Sequence, residues 1–137
     1  MVGNYSAQFE PLRNRTKDFA LRIIRLFRAL PHTEEARIIG KQFLRSGTSI
    51  GANYPAACRA RSRADFIAKL EMVLEEADET AYWLELLVEG KIIERAKLAP
   101  LLPETNELVS IFAASIAPPS TTRRSRTSPH GILNFEL

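Results

Sequence analysis

The stretch Arg45–Pro55, RSGTSIGANYP, decides how the chain is read, because it gathers Ser46, Gly47, Thr48, Ser49, Gly51 and Ala52 around a single Ile50. Small residues at this density fit a phosphate-cradling loop, a membrane dimer contact, or a helix pressed closely against its neighbours. A phosphate loop follows a strand and carries a Lys next to a Ser or Thr; this stretch has no strand-like pattern before it and no such Lys. The Gly47 and Gly51 spacing suits close helix approach, but the apolar setting of the membrane motif is missing. Close packing inside a helical bundle is the reading that remains. There each glycine weakens the helix by about 1 kcal/mol relative to Ala, a deficit that tertiary contact must offset.

The flanking sequence has helical period throughout, and no segment alternates as a strand does. Upstream, Phe19, Ala20, Ile23, Ile24, Leu26, Phe27 and Leu30 fill one half of a helical wheel, and Lys17, Asp18, Arg22, Arg25 and Arg28 fill the other. The spacing predicts a helix from about Arg15 to Leu30. A second helix is expected from the N-cap Thr33, with Glu34 and Glu35 in its first turn. Its core row reads Ile39, Phe43, Ser46, Ile50, Asn53 and Ala57, and it should kink at Pro55 and continue to about Arg61. In this row Asn53 is expected to fix helix register beside the close-packed Gly47 and Gly51.

Ser62 and Asp65 resemble a capping box and predict a third helix starting there. Its row Phe66, Leu70, Val73, Ala77, Thr80, Leu84, Leu87 steps by four and three, as in a coiled-coil seam, and Gly90 supplies the stop. A fourth helical row, Leu98, Leu101, Thr105, Leu108, Phe112, Ile116, follows, with Pro103 expected in its first turn. Beyond Ala117 the sequence PPSTTRRSRTSPHGILNFEL has no usable period and reads as a disordered basic tail. The expected organisation is a flexible N-terminus over 1–14, a bundle domain over 15–117 and the tail over 118–137. The expected fold is all-α, an up-down-up-down four-helix bundle.

Bulk composition agrees. The 137 residues are 45% apolar and 26% charged, enough for one soluble domain with its own core. One cysteine, Cys58, rules out an internal disulfide framework and fits a reducing cytoplasm. The N-terminal MVGNYSAQFEPLRNR carries no apolar leader, and no run of about 18 apolar residues suggests a membrane span. The net charge of +3 is unevenly spread: residues 64–90 hold eight acidic residues against one basic, while residues 1–63 are basic. Such asymmetry suits self-association through opposite faces, or an anionic partner.

Catalytic readings fare poorly. A bundle di-metal site needs inward Glu residues with Glu-x-x-His pairs, yet the only histidines, His32 and His130, fall in a loop and in the tail. Arg59 and Arg61 beside Cys58 would favour a reactive thiolate, but no helical histidine stands by as a base, and a lone Cys is ordinarily a small buried hydrophobe. The expectation is therefore no catalytic residue, no metal and no cofactor. Tyr82 and Trp83 flank the third helix's seam and cannot both face the core. One of them, with Glu75 and Asp78, is a candidate oligomer contact. Arg22, Arg25, Arg28, Lys41 and Arg45, with the tail residues Arg123, Arg124 and Arg126, are candidates for contacting RNA or DNA phosphates. No aromatic-interleaved stripe or helix-turn-helix pattern accompanies them, so weak sequence preference is expected.

Taken in order, RSGTSIGAN, SRADFIAKL and EADETAYWLELL, within Phe43–Leu87, closely resemble the bacterial four-helix bundle proteins, also known as 23S rRNA intervening-sequence proteins. FALRIIRLFRALP and LLPETNELVSIFAASI extend the resemblance to about Phe19–Ile116. It implies a bundle assembling as a ring-like homo-oligomer, a pentamer. A similar bundle serves as the accessory protein of diversity-generating retroelements, where a basic pentamer engages nucleic acid and the reverse transcriptase. The resemblance thus implies self-association, with RNA or DNA and a further protein as candidate partners, and carries over no catalytic residue. Two positions depart from the family pattern: Ala56 stands where relatives commonly have an acidic residue, and Pro55 where they have a helix-compatible one.

Overall fold

The computed structural model describes residues 2–118, with side chains from Phe9 onward. The expected tail lies outside the described residues from position 119, and with it Arg123, Arg124, Arg126 and His130. Four helices run antiparallel in sequence order: α1, Val2–Ala29; α2, Glu34–Cys58; α3, Arg63–Glu89; and α4, Leu101–Ile116, preceded by a short 3-10 turn, Arg95–Leu98. The four-residue connections at 30–33 and 59–62 turn α2 back on α1 and α3 back on α2, as in an up-down-up-down bundle. Its core holds Phe19, Ile23, Phe43, Ile50, Leu70, Leu84, Leu108 and Phe112, all fully buried.

The first helix begins at Val2, not near Arg15, and runs through Pro11. Phe9 and Leu12, in the stretch expected to be flexible, are partly buried against the core. Their spacing to Thr16, Phe19 and Ile23 continues the same helical face. In α2 the Thr33 side chain accepts from the Ala36 N–H at 3.3 Å, the cap expected. The helix passes Pro55 but ends at Cys58 instead of Arg61, since Arg59 to Ser62 form the link to the next helix. Asn53 is only half-buried, and the core position assigned to it is taken by Tyr54, 3% exposed.

In α3, Ser62 caps the Asp65 N–H at 3.1 Å, while the Asp65 carboxylate reaches back to the Arg61 N–H at 3.2 Å. Its C-terminus differs from expectation in one respect. Gly90 is the C-cap at φ −80°, and the left-handed residue is Lys91, φ 59°. The Ile92 N–H bonds the Leu87 carbonyl at 2.9 Å and the Lys91 N–H bonds the Val88 carbonyl at 3.0 Å, which is the Schellman pattern. Gly90 is required for another reason: a Cβ there would lie 2.9 Å from the Leu86 carbonyl oxygen. Lys91→Gly relieves a conformation that side chains disfavour and should stabilise the fold by about 1 kcal/mol, measured by chemical denaturation. A loss of stability would show that Lys91 is held by contacts that outweigh its backbone strain.

The opening stretch finds its explanation between α1 and α2. A Cβ at Gly47 would stand 2.8 Å from Ile23 Cγ1, and one at Gly51 3.2 Å from the Thr16 carbonyl oxygen. Gly40, which the sequence reading passed over, extends the same face, 2.8 Å from Leu30 Cδ1. The other side of α2 meets α3 through Ser46 and Thr80, both fully buried with hydroxyls 2.8 Å apart. Thr80 has one proton and gives it to the Glu76 carbonyl at 2.7 Å, so Ser46 donates to Thr80.

Candidate functional site

The chain's chemistry lies on its surface. Among the described residues, no three His, Cys, Asp or Glu side chains group to hold a metal ion, and no helix is long and apolar enough to cross a membrane. Cys58 is buried, and burial pushes its thiol pKa up despite smaller opposing effects of Tyr54, Arg13 and Arg59. A raised thiol pKa is the reverse of what a nucleophilic cysteine needs.

The outer face of α3 is the most unusual surface. Because the helix carries one heptad row inward, the residues half a turn away form a second row outward: Ala68, Met72, Glu75, Glu79, Tyr82 and Leu86, again stepping by four and three. Met72 and Tyr82 are 57% and 54% exposed, two of only four large hydrophobics so exposed among the described residues. The Tyr82 and Trp83 choice is settled: Trp83 leans on the core and its indole N–H donates to Glu79 Oε2 at 3.1 Å, while Tyr82 stands outward with its ring edge-on to Trp83 at 5.0 Å.

The acids divide into two groups. Glu76 and Glu79 hold Arg45 of α2, at 3.4 and 2.7 Å. The Trp83 hydrogen bond and then Arg45 keep the Glu79 carboxyl below its ordinary pKa. Glu71, Glu75, Asp78, Glu85 and Glu89 have no ion pair among the described residues. Asp78 is pushed up by desolvation alone, with no compensating cation.

The basic candidates also divide. Arg45 is committed to the α2–α3 clamp. Arg22, Arg25, Arg28 and Lys41 make no ion pair among the described residues; Arg22 is near enough to Glu104 to lower its pKa, after the larger effect of Arg15. Arg25, Arg28 and Lys41 are exposed, and Arg22 is half-buried. Arg15 escaped the sequence reading as a partner. Its guanidinium binds Glu104 through two nitrogens at 2.7 and 2.8 Å and Glu107 at 2.8 Å, tying α1 to α4. No local signal marks a pair 89 residues apart in sequence.

Comparison with known proteins then places the chain. A crystal structure from Bacteroides thetaiotaomicron VPI-5482, described as a protein of unknown function from the S23 ribosomal protein family, is 40% identical, with a TM-score of 0.71 over 77% of this chain and 98% of that one. Comparison with curated proteins gives no match. The family model for the 23S rRNA-intervening sequence protein matches residues 12–114, which include both the inner and the outer row of α3. The chain belongs to the 23S rRNA-intervening sequence protein family.

Proposed function

We propose that the protein is a non-catalytic scaffold of the cytoplasm that works as a homo-oligomer, with the outer face of α3 as a subunit contact. The second heptad row on α3 carries this reading. A solitary bundle needs one apolar row per helix, whereas α3 has an inner row and an outer row whose Met72 and Tyr82 stand in water among unpaired carboxylates. A ring of five subunits is the assembly that the family resemblance implies.

Light-scattering mass after size exclusion tests the proposal. A discrete multiple of the chain mass is expected at micromolar concentration, and Tyr82→Glu should raise the dissociation constant by at least about tenfold while leaving helicity intact. A wild-type chain eluting at single-copy mass would end the proposal. A second reading, an accessory module for RNA or DNA, is favoured by Arg25, Arg28 and Lys41, which are exposed and make no ion pair among the described residues. Its signature in the same experiment is an oligomer that retains RNA at low salt and releases it as salt rises.

A further inference from the structure

Three grooves on the surface of the described residues differ in the charge of their linings. The groove between α1 and α2 mixes Glu10 with Arg13 and Lys17. The one between α3 and α4 sets Glu85 and Glu89 against Arg95. The third, of about 360 Å³, lies between α1 and the turn leading into α4, and is lined by Arg22, Arg25 and Lys97 with no carboxylate. Its floor is aliphatic, including Leu26, Leu98 and Leu101. None of its three cations forms an ion pair among the described residues.

We infer that this groove is the socket for the outer face of α3 from a second copy of the chain. The inference rests on the oligomeric reading above and adds to it the identity of the opposing surface. Charge complementarity selects the occupant. The groove offers cations around an apolar floor, and α3 offers Glu71, Glu75 and Asp78 around the exposed Met72 and Tyr82. No aromatic ring lines the floor on which a base would stack, which weighs against a single-stranded nucleic acid as its occupant. Asp78, exposed and with no ion pair among the described residues, gains a cation from the neighbour.

Socket and inserted face are different surfaces, so the contact is heterologous. Repeated head to tail, such a contact closes a ring where its rotation divides a full turn.

Charge reversal tests this with two variants whose sites are exposed. Arg25→Glu with Lys97→Glu gives the chain an acidic socket and an acidic face; Glu75→Lys with Asp78→Lys gives a basic socket and a basic face. Each alone should elute at single-copy mass where wild type is assembled, with unchanged circular dichroism. Mixing them should restore assemblies above single-copy mass in which the two chains alternate; a five-membered ring cannot close on strict alternation, so the restored mass differs from that of the wild-type ring. A socket variant that keeps the wild-type mass, whether or not it loses RNA retention, would overturn the inference while leaving the oligomer in place, as would a mixture that stays at single-copy mass. Wild-type protein at single-copy mass would instead overturn the oligomeric reading beneath it. The milder Arg25→Gln with Lys97→Gln should weaken assembly at least about tenfold, and no change would count against the socket.

Discussion

Phe112→Ala should lower the unfolding free energy by about 3–5 kcal/mol, the usual range for removing a fully buried phenyl ring. Phe112 is 0% exposed and is the α4 member of a chain of aromatic contacts to which every helix contributes. Its ring lies 5.8 Å from Tyr54 of α2; Tyr54 is 6.2 Å from Phe9 of α1, and Phe9 is 6.4 Å from Phe66 of α3. The chain closes one end of the bundle, at the point where α2 finishes and α3 begins. Truncation therefore removes a ring contact as well as apolar area, and the neighbouring Tyr54 is too constrained to fill the space. Urea denaturation monitored by circular dichroism gives the number directly. A loss below about 1 kcal/mol would mean that the end of the bundle collapses around the missing ring, contrary to the close packing expected of such cores.

Gly47→Val should cost about 2–3 kcal/mol, through overpacking and not through a cavity. The new Cβ would meet three atoms of one side chain, Ile23 Cγ1, Cδ1 and Cγ2, at 2.8 to 3.0 Å. Ile23 is fully buried, and a β-branched residue in a helix has essentially one χ1 available, so it cannot swing aside. Gly47→Ala brings the same Cβ contacts without the two further methyl groups, so it should destabilise less than the valine, its clash being offset in part by about 1 kcal/mol of helix propensity. The mechanism has its own signature. Ile23→Ala should be less damaging in the Gly47→Val background than in the wild type, because it vacates the space that the valine needs. Strict additivity of the two changes, or a Gly47→Val protein as stable as wild type, would refute the close-approach account.

What could be read without the structure was whatever repeats at short range. The heptad row of α3, the Ser62 and Asp65 cap and the Thr33 cap depend on residues three or four apart, and all stand as expected. Gly47 and Gly51 were legible as a close-packing pair because no alternative chemistry for small residues fitted. The misses have common physical causes. Pro11 hid the start of α1, since a proline ordinarily argues against a helix interior, although Phe9 and Leu12 already continued the apolar face. Asn53 was placed one residue from the true core position because polar Asn and amphipathic Tyr54 compete for it, and Tyr54 buries far more apolar area. Lys91 took the left-handed position because Gly90 was needed for its missing Cβ one residue earlier. The outer row of α3 was in view as single residues, Tyr82 and Glu75, but its meaning needed the inner row to be seen buried. The Arg15 clamp and the Arg22, Arg25 and Lys97 groove join segments far apart in sequence, and only folding brings them together.

The Arg15 clamp gives α4 a character unlike that of its neighbours. Helix α4 packs chiefly on α3 and meets α1 only lightly, so much of its hold on the first helix is ionic. Arg15 keeps the Glu104 carboxyl below the ordinary glutamate range. A depressed carboxylate pKa contributes stability that is present above the unfolded value, about 4.3, and is lost as pH falls through the folded one. Acid thus unlatches one helix before it melts the bundle. Amide hydrogens along α4 should begin to exchange below about pH 4 while those of α2 and α3 remain protected, so the molecule opens like a book whose last page is held by a clasp.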